Sequence, residues 1–208
     1  MAKAANLFIF LIMTVLTVSV LYSKESKSPD YLKYVNEIVD DFVKDMEKKY
    51  KLHCYGSGGS MPKDVEKIDV LFISYNKSTV EDARKMEVNA IEDLLYRINS
   101  HEKIRPYLRE YPFHAERIGL SISFHTKIDA RPLDGSVAFV FLARNKIFYR
   151  AAEMRMSDPI PLTRVGKNGE WTKEIIPGEL QEELIPLLEE PYEEALKIVG
   201  IAPTPSEK

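Results

Sequence analysis

Cys54 is the only cysteine in the chain, and it sits beside a histidine and a run of glycines: His53-Cys54-Tyr55-Gly56-Ser57-Gly58-Gly59-Ser60. A thiol next to an imidazole invites a nucleophile-and-base reading. The spacing argues against this pair acting together, because side chains one residue apart diverge on a helix or a strand. A thiol enzyme would draw its base from elsewhere. His101, His114 and His125 are available, and their spacing selects none of them. The run from Gly56 to Ser60 could turn backbone N–H groups toward an anion. A phosphate loop, however, follows a strand and opens a helix with Lys-Ser or Lys-Thr. Here the expected order is helix first and strand after, so a connector is the simpler reading. If an enzyme is present, the predicted pocket lies around His53, Cys54 and Gly56, Ser57, Gly58, Gly59 and Ser60, with hydrolase-like chemistry.

Other chemistry finds less support. The four histidines are scattered, and neither HxxxH nor CxxC occurs, so no metal site is expected. GxSxG, HExxH and GxGxxG are also missing, and no cofactor is implied. Adjacent acids such as Asp40-Asp41, Glu182-Glu183 and Glu189-Glu190 read as solvated faces. Glycosidase chemistry would need two carboxyls converging across a cleft.

The strongest pattern is charge segregation. Between positions 131 and 167, Arg131, Arg144, Lys146, Arg150, Arg155, Arg164 and Lys167 outnumber Asp134, Glu153 and Asp158. Between 170 and 194, nine glutamates face Lys173 alone. Lys146, Phe148 and Arg150 share one face of a strand by period two. With Arg144 in the adjoining turn, they form a basic surface carrying an aromatic ring. Such a surface fits an anionic partner: lipid headgroups, a polyanion or an acidic protein. The competing reading is that the acidic segment, taken as a helix, covers the basic strands within one fold.

The elements that must position these residues follow from periodicity. Ser28-Pro29-Asp30 opens a helix, and Tyr31, Val35, Ile38, Phe42 and Met46 give it an apolar stripe ending near Lys51. His53 to Pro62 reads as a loop. Val65 to Tyr75 is apolar on both faces and predicts an interior strand. Thr79 and Asp82 resemble a capping box for a helix buried through Val80, Ala83, Ala90, Ile91, Leu94, Leu95 and Ile98. Pro106 and Pro112 bound an irregular segment. Gly119 to Thr126 alternates, with Ser121, Ser123 and His125 expected to face solvent. Val137–Ala143 and Lys146–Arg150 predict a hairpin turning at Arg144-Asn145. A further strand is expected near Ile160–Val165, before a turn at Gly166–Gly169. Glu179–Val199 is expected to be helical, interrupted at Pro186 and Pro191. The fold class that results is α+β: a mostly antiparallel sheet of four to five strands with helices on one face.

The opening of the chain points to export. Leu7 to Leu21 carries no charge, Lys3 precedes it, and Lys24, Glu25 and Lys27 follow. A positive start, a short apolar run and polar sequence beyond describe a secretory signal. The apolar stretch from Ala4 to Tyr22 also approaches the length of an uncleaved membrane anchor. Cys54 lies far too late for a lipoprotein signal. The expected division is a signal or anchor over 1–23, one globular domain over 24–201 and a disordered tail over 202–208. The chain has 208 residues, 45% of them hydrophobic and 29% charged, with a formal net charge of −3. That composition suits one self-sufficient core and argues against sequence-specific nucleic-acid binding. With one cysteine, no intrachain disulfide can form.

The segments HCYGSGGSMPKDVEKIDVLFISY and IRPYLREYPF resemble those of uncharacterised exported proteins of Chlamydia-related intracellular bacteria. The resemblance spans most of the chain after its leader. It implies an envelope or secreted setting and supplies no activity. The expectation is therefore an exported binding module, with an enzyme of unrecognised type as the alternative.

Overall fold

A computed structural model describes residues 30–128 and 130–202. The predicted signal or anchor, the Ser28-Pro29 helix start and most of the predicted tail lie outside the described residues. Helix α1 spans Asp30–Tyr50 and buries Tyr31, Val35, Ile38, Val39, Phe42 and Met46, as the apolar stripe requires. Asp30 begins it and Lys48 and Lys49 close it, each sign matching the helix dipole at its end. Lys51 then adopts φ 57° and turns the chain directly into a strand.

That strand, β1 (His53–Ser60), replaces the predicted loop. It pairs antiparallel with β2 (Lys67–Ser74), with a register shift around Tyr55. Glycine weakens a strand by intrinsic preference, but a paired neighbour overrides preference. Gly59 is required by contact: a Cβ there would stand 2.0 Å from the carbonyl oxygen of Lys67.

Helix α2 spans Val80–Ser100 and starts as expected. The Thr79 hydroxyl accepts the backbone N–H of Asp82 at 3.1 Å. The buried face of α2 contains Ala83, Ala90, Ile91, Leu94, Leu95 and Ile98 as expected, with Val80 half-buried at its start, and adds two residues outside the expected stripe, Val88 and Glu87. After α2 comes β3 (Ile118–Phe124), which lies parallel to β2. Parallel neighbours require a long crossover, and α2 provides it.

The next strands are β4 (Phe139–Ala143) and β5 (Lys146–Met156), joined at Arg144-Asn145 as predicted. Both turn residues have positive φ, the geometry favoured in a two-residue hairpin turn. β6 (Ile160–Val165) and β7 (Trp171–Ile176) form a separate two-stranded ribbon.

The segment predicted as an interrupted helix is instead strand β8 (Leu180–Pro191), followed by helix α3 (Tyr192–Val199). β8 runs along β5, and Pro186 sits where the register shifts opposite Arg150. Proline lacks the N–H that a helix interior needs, but an edge strand accepts it at an irregularity. Pro191 marks the change from strand to helix.

The main sheet has six strands in the order β1-β2-β3-β4-β5-β8. It is mixed, because β2 and β3 run parallel while every other pair is antiparallel. The α+β class therefore holds, the expected four to five strands are corrected to six, and the mostly antiparallel sheet is mixed through its one parallel pair, β2–β3. Ile68, Val70, Phe72, Leu120, Ile122, Val140, Ile147 and Tyr149 are buried in the core with the helices, and the Phe42 ring meets Phe72 edge-on at 5.8 Å.

Candidate interaction surface

Period two sends alternate strand residues to the opposite side of the sheet. Among the described residues this face bears Leu71 and Ile73 on β2, Ser121 and Ser123 on β3, Phe139 and Phe141 on β4, and Lys146, Phe148 and Arg150 on β5. Ser121 lies between Leu71 and Phe141, and Ser123 between Ile73 and Phe139. These large neighbours bury both serines, which corrects the expectation that they face solvent. Leu71, Ile73, Phe139, Phe141, Phe148 and Arg150 are half-buried, and Lys146 is exposed.

The hairpin register creates an aromatic ladder. Phe141 lies opposite Phe148, and their rings stack at 5.0 Å with planes 12° apart. Phe139 continues the row, 5.3 Å from Phe141. The Arg150 guanidinium sits 5.6 Å from the Phe148 ring centre, within cation–π range. Lys146, Phe148 and Arg150 thus fall together as their spacing predicts, and Arg144 sits exposed in the adjoining turn. Phe139 and Phe141 were not singled out from sequence, although the alternation Phe139-Val140-Phe141-Leu142 carried the signal. At the far end of the face, the Ser123 hydroxyl and His125 Nε2 are 2.8 Å apart, and the Tyr75 ring lies near both His53 and His125.

Much of the basic charge is answered within the fold. Lys146 Nζ meets Glu189 at 2.5 Å, and Arg155 lies 3.6 Å from Glu183. Arg131 pairs with Glu182. The acidic segment does neutralise the basic strand, but as the adjacent strand β8 rather than as a covering helix. Stacked rings flanked by Arg150 and Arg144 remain. They suit a flat apolar contact with a carboxylate at its margin.

The thiol candidate is not assembled. Cys54 is half-buried on β1, and its Sγ donates to the Gly56 carbonyl at 3.5 Å. Burial pushes the thiol above its ordinary pKa, and the Asp40 carboxylate adds to the shift. His53 lies 3.4 Å from Glu47 instead. Because the thiolate is the reactive form, native Cys54 is expected to alkylate roughly tenfold or more slowly than in urea. Timed labelling with iodoacetamide at neutral pH checks this; equal rates would refute the protection, and a faster native rate would show an activated thiol. Ser57, Gly58 and Gly59 line a shallow 370 Å³ cleft beside Leu32 and Val35 of α1.

In two larger cavities several of the charged side chains are tied to internal partners. The 540 Å³ cavity contains Glu92, Glu110, His114, Glu116 and Glu193. There Glu110 pairs with Arg117 and Glu92 accepts the Tyr192 hydroxyl. The 480 Å³ cavity lies at the start of α2, beyond the C-terminal ends of parallel β2 and β3, a common ligand position in sheets with parallel strands. Its Lys77 is held by Asp134 at 2.6 Å. Among the described residues, no group of three or more His, Cys, Asp or Glu is arranged to hold a metal ion. Nor is any helix among them long and apolar enough to cross a membrane. No protein-family model, curated protein or solved structure matches this chain.

Proposed function

We propose that this chain is an exported, non-enzymatic binding module that docks a protein partner on the sheet face carrying the aromatic ladder. The observation that carries this reading is the stacked row Phe139-Phe141-Phe148, capped by Arg150 and only half covered by its own fold. Aromatic and arginine side chains dominate binding energy at interfaces when a partner completes their burial. The partner that fits is an apolar surface with carboxylates at its rim, which Arg144 and Arg150 would meet. The envelope or secreted setting rests on the uncharged Leu7–Leu21 segment and on the resemblance to exported proteins. N-terminal sequencing of the native protein distinguishes a released domain from an anchored one.

Binders selected from a displayed peptide library are expected to weaken on the double change Lys146→Glu and Arg150→Glu. They are expected to weaken about 30-fold on Phe148→Ser, the size of an interface hot spot. Circular dichroism would confirm that both variants fold. If folded variants keep every selected ligand at parental affinity, this face is not the docking surface. Ligands that are exclusively anionic vesicles or heparin, lost with the charge reversal alone, would replace the protein partner with a polyanion.

A further inference from the structure

Beyond the six-stranded sheet, the ends of β5 and β8 and the β6–β7 ribbon form an apolar arm. Trp171 is 74% exposed, Ile175 70%, Met156 69% and Leu180 62%. Met154, Ile160, Val165 and Ile176 add to the same exposed set. Scattered exposed apolar residues are ordinary, but a contiguous run is not. In the ribbon, Val165 pairs with Trp171 and Pro161 with Ile175. Cross-strand partners share a face, so these four residues form one apolar surface with Thr163 and Lys173 between them. An isolated two-stranded ribbon is marginal in water and leaves unpaired backbone at its edges.

The chemistry selects among occupants. A bilayer fits poorly, because the turn Gly166-Lys167-Asn168-Gly169-Glu170 is polar and open strand edges are not tolerated in hydrocarbon. A strongly charged partner also fits poorly. Residues 160–176 carry Arg164, Lys167 and Lys173 against Glu170 and Glu174, and Arg164 already lies 3.4 Å from Glu174. Two such arms can approach each other without a large like-charge penalty. On the proposed face Pro161, Val165, Trp171 and Ile175 are all exposed and present on the order of 500 Å² per arm, so two such faces bury about 1,000 Å², the lower bound of a specific interface and one that dissociates on dilution.

We infer that the arm is a self-association element, with the Val165-Trp171-Ile175 face of one copy packing on the same face of a second copy. A two-fold contact of this kind uses one patch on both partners. It involves different residues from the aromatic ladder and holds whatever that ladder binds.

Trp171 is the sole tryptophan, so its emission reports this contact directly. Protein purified from cells expressing the full chain is expected to sediment at twice the monomer mass. Its emission should be blue-shifted and poorly quenched by acrylamide, and both signals should revert on dilution. The double change Val165→Lys and Ile175→Lys, at exposed positions, is expected to give a folded monomer with water-exposed emission. Wild-type protein that stays monomeric with solvent-exposed Trp171 at every concentration would overturn the inference, as would a dimer that the variant leaves intact. The wild-type dilution series decides the question if the variant fails to fold.

Discussion

Replacing Arg84 with methionine is expected to cost the fold about 3–5 kcal/mol, the penalty for leaving a buried charge without its partner. Arg84 on α2 reaches across to Glu190 on β8 with two bonds, at 2.7 and 3.0 Å. The side chains are only 12% and 6% exposed. The Tyr149 hydroxyl donates to the same carboxylate at 2.6 Å. Burial and the Glu190 contact hold this phenol far above its ordinary pKa, so it remains a donor at any physiological pH. Without Arg84, the Glu190 carboxyl would be left in the interior with only the Tyr149 bond. Urea unfolding measures the loss, and a loss below about 1 kcal/mol, the value of an exposed pair, would refute it. Adding Glu190→Gln to Arg84→Met should recover part of the stability. The amide keeps an acceptor for Tyr149 and removes the unpaired charge.

Glu87→Leu is expected to stabilise the protein by about 1–3 kcal/mol at neutral pH, the cost of an unsatisfied buried polar group. Glu87 is fully buried on the core side of α2, and neither of its carboxyl oxygens makes a hydrogen bond. Burial raises its pKa well above the ordinary carboxylate value; the nearby Leu142 backbone offsets this slightly without reaching hydrogen-bond geometry. The Tyr149 and Tyr192 hydroxyls give Glu87 no partner, because they donate to Glu190 and Glu92 instead. The pH dependence follows from the direction of the shift. At pH well below about 4.3 the carboxyl is protonated folded or unfolded, and its titration has no effect on stability. As pH rises past that value the unfolded chain releases the proton while the folded one retains it. Stability therefore falls until the raised folded pKa is reached. The advantage of Glu87→Leu should grow between pH 4 and pH 7. An advantage that is absent, or equal at both values, would mean that Glu87 is charged and partnered in the native state.

Local pattern makes several elements legible in the sequence. The helical stripe of α1, the Thr79 cap of α2, the apolar run of β2 and the hairpin at Arg144-Asn145 each depend on neighbours within a few residues. The shared face of Lys146, Phe148 and Arg150 is legible for the same reason, because alternation is intrinsic to a strand. Leu180–Pro191 reads wrongly as a helix because its glutamates and leucines favour one, whereas pairing with β5 outweighs that preference; beyond Pro191 the expected helix forms over Tyr192–Val199. The glycines of β1 likewise join the sheet because β2 offers a partner.

What the sequence alone determined is therefore the periodicity of most segments and the side chains that share a face. The tertiary structure decided which strands are neighbours and in what register. Those two facts stack Phe141 on Phe148, set Glu189 against Lys146, bury Glu87 and leave Trp171 uncovered by its own chain. The physical reason is range. A residue's backbone preference acts over a few positions, whereas pairing and burial are settled by partners dozens of residues away.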